Sequence, residues 1–221
     1  GPMNAPTTES AAPDAVKRAR GRPRKTADER DDGNRRRELI RGAAKLFRAQ
    51  GFAGTSTRDI ATAVGMRSGS PFYHFESKEA LLAAVMLEGM QGALQRQNAA
   101  LAGLPPGAGV RERLRVLVRN HFDVLLGPDS DFIPVMLYEW RSLDATQRSE
   151  VNRLKDDYEA AWVPVFEALH ATRQLAGDPV LARLMIFGAL NWSVQWYDAR
   201  RAATLDDLTQ AALLLFLKDP S

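Results

Sequence analysis

Thr55-Ser56-Thr57-Arg58-Asp59-Ile60-Ala61-Thr62-Ala63-Val64-Gly65, followed after a brief turn by Ser68-Gly69-Ser70-Pro71-Phe72-Tyr73-His74-Phe75-Glu76-Ser77-Lys78-Glu79, decides how this chain folds. Ser56 with Asp59 three residues on is a capping-box pair, so a short helix opens there and runs through Ala63 until Gly65 closes it. Proline is tolerated in a first helical turn, so Ser68 to Phe75 reads as a second short helix, and Ser77-Lys78-Glu79 starts the next. Upstream, Leu39, Ile40, Ala43, Ala44, Leu46 and Phe47 recur at helical spacing until Gly51, which predicts a helix from about Asn34 to Gln50. Two short helices joined through a glycine-containing turn and braced by a longer one form a helix-turn-helix unit. Such a unit places its second short helix in the DNA major groove. The surface of that helix, with Ser68, Ser70, Tyr73 and His74, suits contacts to phosphates and thymine methyls.

The order Gly51-Phe52-Ala53-Gly54-Thr55-Ser56-Thr57-Arg58-Asp59-Ile60-Ala61, then Gly69 to Leu81 with Tyr73-His74-Phe75 and Lys78, resembles the TetR family of repressors over about fifty residues. The resemblance implies DNA contact by Thr57, Ser68, Gly69, Ser70, Phe72, Tyr73, His74 and Lys78. It implies a small core of Phe47, Ile60, Val64, Phe75 and Leu81. Pro71 departs from the pattern, since the family usually has Leu, Ile or Val there, and Phe72 stands where it often has Tyr. The start of the recognition helix is therefore open.

Charge is uneven along the chain. The net charge is only +3, but residues 34 to 80 carry nine Lys/Arg against four Asp/Glu, while residues 81 to 221 carry fourteen against seventeen. Gly1-Pro2 ahead of Met3 reads as a remnant of tag removal and is set aside. Residues 3 to 33 lack apolar periodicity and are expected to be a disordered arm, so the domain reading is an arm (1–33), a DNA-binding domain (34–80) and a larger domain (81–221). Inside the arm, Arg20-Gly21-Arg22-Pro23 followed by Arg24 resembles an AT-hook. Arg20, Arg22 and Arg24 would then either enter the minor groove or add non-specific attraction to phosphates.

From Ser77 onward the chain reads as about six helices, giving an all-α protein of about nine, with a C-terminal bundle for ligand binding and dimerisation. Pro164 should kink a long helix from about Asp144 to Arg173. Asp178 to Ala202 and Thr204 to Lys218 are long, and the second ends in the apolar run Ala211 to Leu217. The resemblance implies that this last pair forms a homodimer interface, so that two recognition helices read a palindromic double-stranded DNA operator.

Glu139-Trp140-Arg141, Tyr158 to Trp162 and Gly188 to Tyr197 resemble the subgroup of such regulators that responds to acyl-CoA thioesters. The candidate ligand-binding residues are Phe122, Met136, Trp140, Arg141, Tyr158, Trp162, Asn191, Trp192, Gln195 and Trp196. The Asn191-to-Tyr197 aromatic stretch serves either a pocket or the dimer interface. Arg111, Arg113, Arg115 and Arg119, with Arg141, are candidates for meeting phosphates at a pocket mouth. The expected mechanism is release of the operator when effector binding pivots the fourth helix, Ser77 to about Ala100.

Other classes are less well served. No cysteine occurs, and His74, His121 and His170 are far apart, so the sequence offers no catalytic constellation, metal cluster or cofactor motif. The longest apolar run is far short of the roughly 18 residues that span a bilayer, so a cytoplasmic protein is expected. A ligand-free architectural DNA protein remains a rival, as does an efflux regulator sensing cationic drugs through His121, Asp123, Glu139 or Glu159.

Overall fold

The computed structural model describes residues 26–219. Arg20, Arg22 and Arg24 lie outside them. Among the described residues, ten α-helices and one 3-10 turn follow in order: α1 (Ala27–Gln50), α2 (Thr57–Ala63), α3 (Pro71–His74), α4 (Lys78–Ala102), α5 (Val110–Leu126), α6 (Phe132–Glu139), the 3-10 turn Trp140–Ser142, α7 (Ala145–Ala160), α8 (Val163–Ala171), α9 (Pro179–Trp196) and α10 (Leu205–Phe216). No strand occurs among the described residues.

The chain divides into residues 1–35 and 36–221. In the first unit, the backbone N–H of Thr26 donates to Glu29 and that of Glu29 donates to the Thr26 hydroxyl, both at 3.2 Å. This capping box starts α1 at Ala27, so residues 27–33 are helical rather than part of a disordered arm. Apolar periodicity missed these turns because their side chains are nearly all exposed; the Thr-x-x-Glu cap was the available signal.

In the second unit, Leu39, Ile40, Ala43, Ala44 and Phe47 form the buried stripe of α1. They share a core with Ile60, Phe75, Leu81 and Leu82, while Val64 packs at its edge. Helix α4 packs against α5, α6 and α7, and α5 packs in turn against α8, α9 and α10. The polypeptide therefore wraps two central helices, α4 and α5, with the later ones.

Two further differences from the sequence reading lie in the later helices. The segment from Asp144 to Arg173 is two helices, not one kinked helix: the turn at Ala161-Trp162 separates α7 from α8, with Pro164 in the first turn of α8. Proline has no N–H to continue the ladder and its ring crowds the preceding turn, so a break costs less than a bend here. Helix α9 also ends at Trp196 instead of Ala202, as Tyr197 turns extended at φ −70°, ψ 134°. Among the described residues no helix is long and apolar enough to cross a membrane.

Candidate nucleic-acid interface and ligand cavity

The Ser56 cap forms in both directions: the Asp59 N–H donates to the Ser56 hydroxyl at 3.0 Å, and the Ser56 N–H donates to the Asp59 carboxylate at 2.9 Å. Those bonds hold the Asp59 carboxyl below its usual pKa. Gly65, at φ +71°, makes the turn that a side chain would strain. Helix α3 then begins at Pro71, later than the Ser68 expected. Pro71 itself is buried and fills the first position, where a missing N–H has no consequence. Ser68 and Gly69 thus lie in the exposed turn before the helix, with Ser70 at its cap.

What α3 presents outward is aromatic: Phe72 is 54% and Tyr73 80% exposed, and the rings of Tyr73 and His74 meet edge-on at 5.2 Å. Thr57 is half-buried at the start of α2. Lys78 takes a different position from a free surface cation. Its Nζ donates to the carbonyls of Phe52 at 2.8 Å and Thr55 at 3.0 Å, and it lies 4.1 Å from the centre of the Phe52 ring. It ties the start of α4 to the loop between α1 and α2. Thr55 secures the same loop, its buried hydroxyl donating to the Gly51 carbonyl at 2.7 Å.

A second site lies inside the bundle. Met136, Tyr158 and Asn191, three of the sequence candidates, border one cavity together with Met90, Ala93, His121, Val124, Ile133, Leu137, Lys155, Glu159 and Phe187. Its volume is about 40 Å³, room for a few waters. Phe122 and Trp162 are buried in the neighbouring core. Trp140 and Arg141 belong to the 3-10 turn away from the cavity, while Trp192, Gln195 and Trp196 are exposed. The aromatic stretch of α9 is therefore divided: Asn191 faces the cavity, and Trp192 and Trp196 face outward.

His121, which the sequence offered only as one of the groups through which a cationic drug would be sensed, organises the cavity's polar side. Its Nδ1 lies 2.6 Å from the Tyr158 hydroxyl and its Nε2 lies 2.7 Å from Asn191 Oδ1. Burial lowers its pKa from 6.5 to about 4, so the ring is neutral near pH 7. Asn191 Oδ1 can only accept, so Nε2 carries the proton and Nδ1 accepts from Tyr158. Burial also pushes the Tyr158 phenol well above its usual range. Behind this chain, Gln97 accepts from Trp162 Nε1 at 2.7 Å and donates to the Tyr158 carbonyl at 2.8 Å. Glu159, at the cavity rim, is paired with Arg183 at 3.1 Å.

None of the five arginines expected at a pocket mouth borders this cavity, and three are engaged elsewhere: Arg111 with Gln174 and the Lys218 carbonyl, Arg115 with Glu112, and Arg119 with Asp123 and Asp206. Lys155 is the cation at the rim.

Helix α6 joins the two sites. Ile133, Met136 and Leu137 border the cavity. At one end Asp131 pairs with Arg48 of α1 at 3.1 Å, and at the other the Glu139 carboxylate accepts from the Phe52 N–H at 2.9 Å. The loop held by Glu139 is the loop that Lys78 grips.

Residues 39–85 match the family model for bacterial regulatory proteins of the tetR family, and residues 107–219 match the Tetracyclin repressor-like C-terminal domain. The HTH-type transcriptional repressor KstR2 of Rhodococcus jostii (strain RHA1) is 28% identical over 188 residues, covering 83% of this chain and 89% of that protein. A crystal structure of PfiT, described as a superantigen, is 39% identical with a TM-score of 0.69, over 83% of this chain and 96% of PfiT. AibR, solved in complex with isovaleryl coenzyme A and operator DNA, is 23% identical with a TM-score of 0.74, over 82% and 97% of the two chains, a likeness of fold. A capped helix-turn-helix ahead of an all-helical bundle, matched in both parts by family models, makes this chain a DNA-binding transcriptional regulator of the TetR family.

Proposed function

We propose that the protein is a dimeric repressor that binds a palindromic operator in the cytoplasm and is released by a small hydrophobic effector, with acyl-CoA thioesters as the favoured class. The observation carrying the DNA part is the exposure of Phe72 and Tyr73 on a helix whose first residue, Pro71, is buried. Large rings left open on a small, basic domain mark a contact surface. Thr57, Ser68, Gly69, Ser70 and His74 surround them, and Lys78 shapes the loop beside α2 while keeping one N–H for a phosphate. The arm with Arg20, Arg22 and Arg24 adds charge toward the minor groove.

Dimerisation through α9 and α10 is supported by the apolar stripe Leu181, Leu184, Met185, Trp192 and Trp196 together with Leu214 and Leu215, all exposed. Large apolar side chains exposed in such number on two helices mark a contact surface. Two copies packed there hold two α3 helices at a fixed spacing.

The cavity supports the effector part. A guest needs a site of roughly 300–1,000 Å³, so the cavity of about 40 Å³ must widen to take one. Opening it displaces α6, and with it the Arg48 and Phe52 attachments to the DNA-binding helices. An effector then shifts the population toward a conformer that no longer fits both half-sites. The likeness of fold to AibR, solved with isovaleryl coenzyme A, favours the acyl-CoA class, and Lys155 at the rim could meet a phosphate. A lipophilic cation is less well served, since the rim acid Glu159 is already paired with Arg183.

Selection of binding sites from random duplexes tests the reading, and should return a two-fold symmetric sequence whose complex dissociates when the co-purifying small molecule, identified by native mass spectrometry, is added. Binding without sequence preference would favour the architectural rival instead.

A further inference from the structure

The polar side of the cavity has little left to offer a guest. Both His121 nitrogens are engaged, the Tyr158 hydroxyl proton is committed to Nδ1, and Asn191 Oδ1 is taken by Nε2–H. Trp162 and Phe187 hold the imidazole edge-on at 5.6 and 5.4 Å, which fixes the ring and with it the face of the carboxamide. What remains on Asn191 is its NH2 group, for which no partner occurs among the described residues. The rest of the lining is apolar, apart from Lys155 and Glu159 at the rim.

Building on the effector reading above, we propose that Asn191 determines effector specificity by donating a hydrogen bond from its carboxamide NH2 to a carbonyl oxygen on an otherwise apolar, uncharged group. His121 and Tyr158 are positioning residues that keep that donor turned into the cavity. Desolvation opposes a charged guest: an ammonium group would find no acid but the Glu159 that Arg183 already holds, and a carboxylate would be buried with no cation nearer than the rim. A thioester, ketone or ester carbonyl presents a neutral acceptor and needs no countercharge.

The test uses matched ligand pairs on the full chain. Isovaleryl-CoA and its S-isopentyl thioether differ in the carbonyl alone, and pairs of longer chain extend the series. Titration calorimetry on the wild-type protein should give a preference of roughly three- to tenfold for the thioester, the scale of one neutral hydrogen bond. Asn191→Asp keeps the acceptor that His121 needs and removes the donor; Asn191→Leu removes both. In each variant the preference should fall to near one while thioether affinity changes little, with thermal melts confirming a folded protein. If either folded variant still prefers the thioester as strongly as wild type, the role given to Asn191 is overturned and the effector reading stands. If wild type binds no member of either series, both fall together.

Discussion

His121 has a consequence for stability as well as for the cavity. Between about pH 4, its native pKa, and 6.5, its usual one, the unfolded chain takes up a proton that the buried ring refuses. The stability His121 contributes is thus complete above about 6.5 and is lost as pH falls toward 4. Thermal melts across that window should show a decline that His121→Gln flattens, while the variant melts lower near pH 7 because Tyr158 loses its partner. Gln97→Leu should cost about 1–3 kcal/mol for each buried group it orphans, Trp162 Nε1 and the Tyr158 carbonyl, read from denaturant midpoints. Gly89 marks a close approach of α4 to α6, since a Cβ there would overlap the side chain of Phe132. Overpacking of this kind costs roughly 1–3 kcal/mol, more than alanine's helix propensity returns.

At the scale of the element, the caps decide where helices begin. Ser56→Ala removes the acceptor for the Asp59 N–H and should lower stability by about 1 kcal/mol, measured as a shift in melting midpoint. The same pattern recurs at Asp144 with Gln147 and at Thr204 with Asp207. Helix α6 is the element with a two-sided role, lining the cavity along its length and holding α1 and its following loop at its ends. Glu139→Ala combined with Arg48→Ala should shrink the factor by which effector weakens operator binding while leaving effector affinity for the free protein nearly unchanged. Coupling is reciprocal, so operator DNA should then weaken effector binding by the same reduced factor, which fluorescence anisotropy and calorimetry can check against each other.

For the molecule as a whole, the exposed stripe on α9 and α10 predicts its own test. Met185 is 76% and Leu215 77% exposed, so replacing both with Glu leaves the core intact and should convert dimer to monomer in light scattering. Operator affinity should fall with it, because a lone helix-turn-helix reads one half-site. Removal of residues 1–25 should make DNA binding less sensitive to salt, the slope falling by about one unit for every phosphate that the basic arm had neutralised. An unchanged slope would show that the six Lys/Arg between Lys17 and Lys25 stay in solvent.

The order of residues sufficed for whatever depends on neighbours in the chain: the Ser56 cap, the Gly65 turn, the α1 stripe and the all-helical class all rest on spacing, which one-dimensional periodicity records. Even the error at α3 was local, since Pro71 marked the uncertain boundary. The cavity was not legible in this way. His121, Asn191 and Tyr158 come from three helices, and only packing could show which of the α9 residues turned inward and which outward. Arg141 and Trp196 looked as suitable as Asn191 because composition carries no direction. The attachment of α6 to Phe52 likewise joins groups 87 residues apart; a carboxylate and a backbone N–H leave no mark in sequence, and the fold alone brings them within hydrogen-bonding distance.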